Sequence, residues 1–254
     1  MMTSELEQYL KTLFKPELFD DYCPNGLQVE GKFEIKKILF ALSATRESAE
    51  YASTIKADAL IVHHGLFWKF HGTKTLTGTF YKRVAPLIKN DINLFGYHLP
   101  LDAHPQVGNA VSIAKLIDLE ELTPFGNHKG SSTGTMGCLK KSMTGLELKN
   151  LLEEKLQHAV LYSNPIDGVS IKKIGIITGG ANSEWREAQK LELDAYITGE
   201  MSEHDYHESR EAGIHMFAGG HHATEKFGII SLMKKLQTVF PDLECEYMDS
   251  ENPA

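Results

Sequence analysis

The adjacent imidazoles of His63 and His64 follow an apolar run at 59–62. Neighbouring side chains on a strand point to opposite faces, so two adjacent histidines share one small site only where the strand is ending. Gly65 permits the turn such an end needs. A second group, His98-Leu-Pro-Leu-Asp102-Ala-His104, follows the apolar run 92–97, and Pro100 holds it extended. A third, Gly219-Gly220-His221-His222-Ala-Thr-Glu225, follows the run 214–218. With a helix beginning near Thr224, His221 and Glu225 lie four apart on one face, while His222 points elsewhere. A carboxylate at the positive end of a helix suits bridging two cations. Imidazole with carboxylate suits Zn, Mn, Fe or Ni more than Cu(I) or Ca. Singly, each group also fits an exposed loop; together, all three close apolar strands of one chain. His63, His64, Asp102, His221 and Glu225 are too many for one four-coordinate catalytic ion with an open position. They suit two divalent ions sharing a carboxylate, and the split of ligands between the ions is left open.

The elements that must position these groups alternate. Apolar runs at 38–42, 59–62 and 92–97 are separated by helical stretches at 45–55 and 80–89, with Pro86 set to kink or end the latter. This pattern predicts an α/β fold with mostly parallel, buried sheets. Ser4 with Glu7, and Thr144 with Glu147, read as capping boxes opening helices. Residues 21–31 read as a Pro/Gly/Asn loop. The chain then repeats itself. Ile35-Lys-Lys-Ile38 recurs as Ile171-Lys-Lys-Ile174, and at the same offset of 136 Asp58-Ala59 falls on Asp194-Ala195, and His64 on Glu200. At offset 123, His98-x-x-x-Asp102 matches His221-x-x-x-Glu225. Two similar α/β lobes follow, at 1–124 and 125–254, each with its site residues at the carboxyl ends of strands, where open parallel sheets place ligands. In this reading the metal site lies between the lobes, and Glu200, His98 and His204 line it or hold its ligands in place.

Composition narrows the function classes. The chain has 254 residues, 42% hydrophobic and 24% charged, the mix of an ordinary globular protein rather than a disordered or fibrous one. No apolar run is long enough to cross a bilayer, and no basic stretch leads into an apolar one at the start, so no membrane partner and no signal peptide are expected. The formal charge of −8 disfavours binding to phosphate backbones, so nucleic acid is not an expected partner. Cys23, Cys138 and Cys245 are scattered and form no CxxC, which suits a reducing cytoplasm and no thiolate metal site.

Five dispersed motifs, in order, resemble the Nif-three-like dinuclear metal-centre family, whose members are often named GTP cyclohydrolase type 2 homologs. They are Asn25-Gly26-Leu27-Gln28, Val62-His63-His64-Gly65-Leu66-Phe67-Trp68, Tyr97-His98-Leu99-Pro100-Leu101-Asp102, Thr198-Gly199-Glu200 and Gly220-His221-x-Ala-Thr-Glu225. The resemblance is to the short bacterial form, without a long inserted domain. It implies two α/β lobes, a homohexameric ring and a two-metal centre with His63, His64, Asp102, His221 and Glu225 as ligands. The function expected is metal-dependent hydrolysis of a nucleotide or other small molecule, through a hydroxide held between two divalent ions. The alternative from another class is a non-catalytic, metal-handling or ring-shaped scaffold protein.

Overall fold

The computed structural model describes residues 1–167 and 170–254. In chain order the elements are α1 (Thr3–Phe14), β1 (Gly26–Val29), β2 (Lys37–Ser43), α2 (Arg46–Thr54), β3 (Ala59–His64), α3 (Gly78–Lys89), β4 (Asn93–Gly96) and α4 (Leu99–Asp102). There follow α5 (Asn109–Leu116), β5 (Glu120–Phe125), β6 (Gly134–Met143), α6 (Gly145–Leu156), β7 (Leu161–Ser163), β8 (Ile171–Ile176), α7 (Trp185–Lys190), β9 (Ala195–Thr198), α8 (Glu203–Glu211), β10 (His215–Ala218), α9 (His221–Val239) and β11 (Glu244–Met248). The fold is α/β, with two sheets.

The chain divides into two units. One is Met1–Leu101 with Ile229–Ser250; the other is Asp102–Gly228 with Glu251–Ala254. This differs from a single divide at 124/125, because β11 pairs in parallel with β2 and so carries the late segment into the first unit.

The first sheet has the order β1-β4-β3-β2-β11, and only β1 runs antiparallel to its neighbour. The middles of its central strands are apolar because helices cover a parallel sheet. Leu39, Leu60, Val62 and Leu94 form one core with Ala49 and Ala52 of α2 and Val84 and Leu87 of α3. Pro86 sits inside α3 without ending it. The second sheet has the order β5-β6-β8-β9-β10-β7. Here the expectation of a mostly parallel sheet fails. Only β8/β9 and β9/β10 are parallel, while β5/β6, β6/β8 and β10/β7 are antiparallel. Ile174, Ile197 and Phe217 of this sheet pack on Ile113 of α5 and on Leu148 and Leu152 of α6.

The internal repeat is visible in the ladders. Ile38 pairs with Ala59, and Ile174 with Ala195, both pairs displaced by the offset of 136 read from sequence. The aspartates repeat with them. Asp58 Oδ2 accepts the N–H groups of Lys36 and Lys37, and Asp194 Oδ2 accepts those of Lys172 and Lys173. The third strand shifts the count. Ala59 faces Asn93 and Ala195 faces His215, an offset of 122 from β4 to β10. Matching His98 to His221 therefore needs one extra residue after β10, and Gly220, at φ +89°, lies there. At the start of the chain the cap differs from the Ser4–Glu7 reading: the N-cap is Met2, whose N–H donates to Glu5. The Thr144–Glu147 box forms as expected.

Candidate metal centre

Each unit brings together its own imidazole and carboxylate side chains. In the first, His63 and His64 are the last two residues of β3, and His98 follows β4. His63 is fully buried, and its Nδ1 lies 3.0 Å from the Tyr97 carbonyl oxygen. A carbonyl only accepts, so Nδ1 carries the proton and the lone pair of the neutral ring is on Nε2. His64 Nδ1 meets Ser43 Oγ at 3.0 Å, and the two residues face each other in the β2/β3 ladder. The His98 Nδ1–H donates to Asp21 Oδ1 at 2.7 Å. One ligand atom from each of His63, His64 and His98 lies within 4.8 Å of the others, a grouping that could hold a metal ion.

Asp21 is the anchor that sequence reading missed. It is buried, and it accepts from the Tyr22 and Leu99 N–H groups and from Asn25 Nδ2 as well as from His98. Burial pushes its pKa up, but the His98 contact, Asn25 and the Leu99 N–H outweigh that and hold it at about 2. Asn25 returns the bond by accepting the His98 N–H at 2.8 Å. Gln28 braces the turn that follows the His63-His64 pair. Its Oε1 accepts the Leu66 N–H at 2.9 Å, and its amide packs so closely on Gly65 and Gly96 that a Cβ at either would collide with it. The loop 21–31 thus holds a strand and three site-supporting side chains.

In the second unit, Asp102 ends α4 and is 8% exposed. Its Oδ1 accepts from Asn109 Nδ2 at 2.8 Å and from Thr178 Oγ1 at 3.3 Å, and Asn109 Oδ1 in turn accepts the Gly228 N–H at 2.7 Å. Helix α9 opens at His221, three residues before the expected start, so His221 and Glu225 are one turn apart within it. His221 Nε2 lies 3.1 Å from Glu225 Oε2, and its Nδ1 lies 2.5 Å from Glu200 Oε1. Burial lowers the His221 pKa, but the carboxylates of Glu225 and Glu200 overcome it and raise the value to about 9. Gly179, at φ +68°, leaves the space Glu225 needs: a Cβ there would collide with the carboxylate.

The remaining histidines have local roles. His204 is mostly exposed on α8, with Nε2 3.6 Å from Asp205 Oδ1. Asp205, buried, accepts from the Trp185 indole at 2.9 Å. His104 Nδ1 accepts the Gln106 and Val107 N–H groups and so closes a turn. His215 meets the Tyr162 hydroxyl at 2.8 Å.

The donor sets are imidazole and carboxylate, the Nδ1 of His63, His64, His98 and His221 each contacts an oxygen, and Asp102 is itself hydrogen-bonded. This is the outer-shell pattern that orients ligands toward a divalent metal. The residues present fit such an ion.

Comparison with known proteins agrees with the fold. The chain is 44% identical over its whole length to a Haemophilus influenzae protein and 38% identical to one from Escherichia coli, each covered completely and each named GTP cyclohydrolase 1 type 2 homolog. Two solved structures are covered completely as well. One is the protein ybgI, described as of unknown function, at TM-score 0.90 and 38% identity. The other is TTHA1606 from Thermus thermophilus, at 0.88 and 30%. The family model for Duf34/NIF3 (NGG1p interacting factor 3) matches residues 1–253. The chain therefore belongs to the Duf34/NIF3 family.

Proposed function

We propose that the protein is a metal-dependent hydrolase whose ligands for two divalent ions are His63, His64, Asp102, His221 and Glu225. The observation that carries this reading is the way the donors are held. His63 and His221 each give their Nδ1 proton to a carbonyl or carboxylate, which supports Nε2 as the nitrogen that would face a metal. When bound, the two cations would supply Lewis acidity, lowering the pKa of water and polarising a carbonyl, amidine or phosphoryl oxygen. The chain's own residues do the rest. Asn109 and Thr178 fix the Asp102 carboxylate, Ser43 and Tyr97 fix the imidazole pair, and Glu200 orients His221.

The substrate in this reading is a nucleotide or other small molecule, in keeping with the name its relatives carry. The assembly proposed is a homohexameric ring in the cytoplasm. Among the described residues no helix is long and apolar enough to cross a membrane. The charge of −8 sets the surface against nucleic acid.

Elemental analysis of the purified protein, paired with a hydrolysis screen on nucleotides and activated esters with and without chelator, tests the proposal. Two divalent ions per chain and chelator-sensitive turnover are expected. Glu225→Gln should lose both metal and turnover, since Glu225 is one of the carboxylates that would hold the ions. Normal metal content in that variant would sink the ligand assignment. Stoichiometric metal without chelator-sensitive turnover would instead make the chain a metal-handling protein.

A further inference from the structure

Beside the imidazoles of the first unit lies a group of aromatic rings that the metal chemistry does not use. Trp68 meets His98 edge to face, with ring centroids 5.0 Å apart at 84°, and lies 5.8 Å from His64. Its Nε1–H donates to the Gly65 carbonyl at 3.1 Å, which fixes the rotation of the indole. Phe70 stacks on Trp68 at 5.4 Å and 29°, yet is 68% exposed. Tyr22, 42% exposed, flanks His98 at 6.3 Å. Its carbonyl accepts the Lys69 N–H at 2.8 Å and so ties the two ring-bearing loops together.

Core packing does not explain this group, because Phe70 and Tyr22 spend large rings on solvent. The orientation is also specific. The indole is locked by a hydrogen bond and extended by a second stacked ring, and it adjoins two imidazoles of the proposed metal centre. We propose that Trp68 and Phe70, with Tyr22 beside His98, form a stacking site for a planar heteroaromatic ring of nucleobase size, held next to His64 and His98. The proposal rests on the metal-centre reading for what the ring is presented to, but ring binding itself needs no turnover. It names the part of the substrate that this surface recognises: the flat base, by its π-face, rather than a sugar or a phosphate. Stacking on an aromatic side chain is worth enough per base to be measured by alanine substitution.

The test compares guanosine 5′-monophosphate with ribose 5-phosphate, which lacks only the base, by titration calorimetry on the protein as isolated. Metal content is measured on the same samples. The nucleotide should bind at least about tenfold more tightly than the sugar phosphate. Phe70→Ala, an exposed substitution, should bring the two affinities to within about threefold of each other, and Phe70→Tyr should restore the difference. Equal affinities in the wild type, an unchanged ratio in Phe70→Ala, or no binding of either compound would overturn the proposal. So would a Phe70→Ala variant that alters the sedimentation coefficient but not the ratio, since the rings would then be covered by a second copy of the chain. A protein empty of metal that keeps the ratio would sink the hydrolase reading while leaving the stacking site standing.

Discussion

His221 carries a proton that a metal ion bound there would have to displace. With both carboxylates beside it, its pKa stands at about 9, above the value near 6.5 of an unfolded histidine. The group's contribution to stability in the metal-free protein is therefore complete below about pH 6.5 and lost as pH rises through 9. Metal uptake runs the other way: affinity should rise with pH up to about 9, with close to one proton released by this ring at neutral pH. Glu200→Gln removes one of the two carboxylates and lowers the His221 pKa. Calorimetry of zinc binding at pH 8, in buffers of different ionisation enthalpy, should show fewer protons released by that variant than by the wild type. An identical proton count would mean that Glu200 does not set the state of His221.

The paired aspartates act on whole elements. Asp58 and Asp194 each clamp two consecutive N–H groups near the start of a strand to the loop that leads into the next strand. Losing two accepted N–H bonds should cost on the order of 1–3 kcal/mol. Asp58→Ala and Asp194→Ala are each expected to lower the thermal midpoint. Hydrogen exchange should place the loss on β2 and β3 in the first variant and on β8 and β9 in the second. These parallel strands, with the polar residues at their ends, were legible from sequence because buried parallel strands are continuous apolar runs, and a histidine or carboxylate closing one stands out. Two other strands were not. Strand β1 lay hidden in a turn-rich stretch. The parallel edge strand β11, read as Glu-Cys-Glu-Tyr-Met, was hidden too, having no apolar run to announce it. Asp21, Ser43, Asn109 and Thr178 were missed for another reason. Each is an ordinary polar residue, and for Asp21 and Thr178 the partner is far along the chain: His98 lies 77 residues from Asp21, and Asp102 lies 76 from Thr178.

At the scale of the molecule, the units are not the two halves of the sequence. Met248 packs with the core of the first unit, and Glu246 reaches Lys37 at 3.4 Å and the Tyr51 hydroxyl. Deleting 244–250 should therefore destabilise the first unit alone, by on the order of 2–4 kcal/mol for a short strand's ladder. Exchange protection should fall along β2 and β3 and stay unchanged along β8, β9 and β10. Equal loss in both sheets would show that the division at Leu101 and Ile229 is not a division in stability.

The pairing of Glu244 with Lys37 also governs what happens at the ribosome. A nascent chain synthesised to β10 has every partner the second sheet requires, yet β2 still offers an unpaired hydrogen-bonding edge. That edge stays open until β11 is made, because its neighbour, Glu244, lies 207 residues after Lys37 in the chain. During that interval β2 is a ready template for a strand from another nascent chain. The late-arriving strand is thus the piece that ends the molecule's exposure to misassembly.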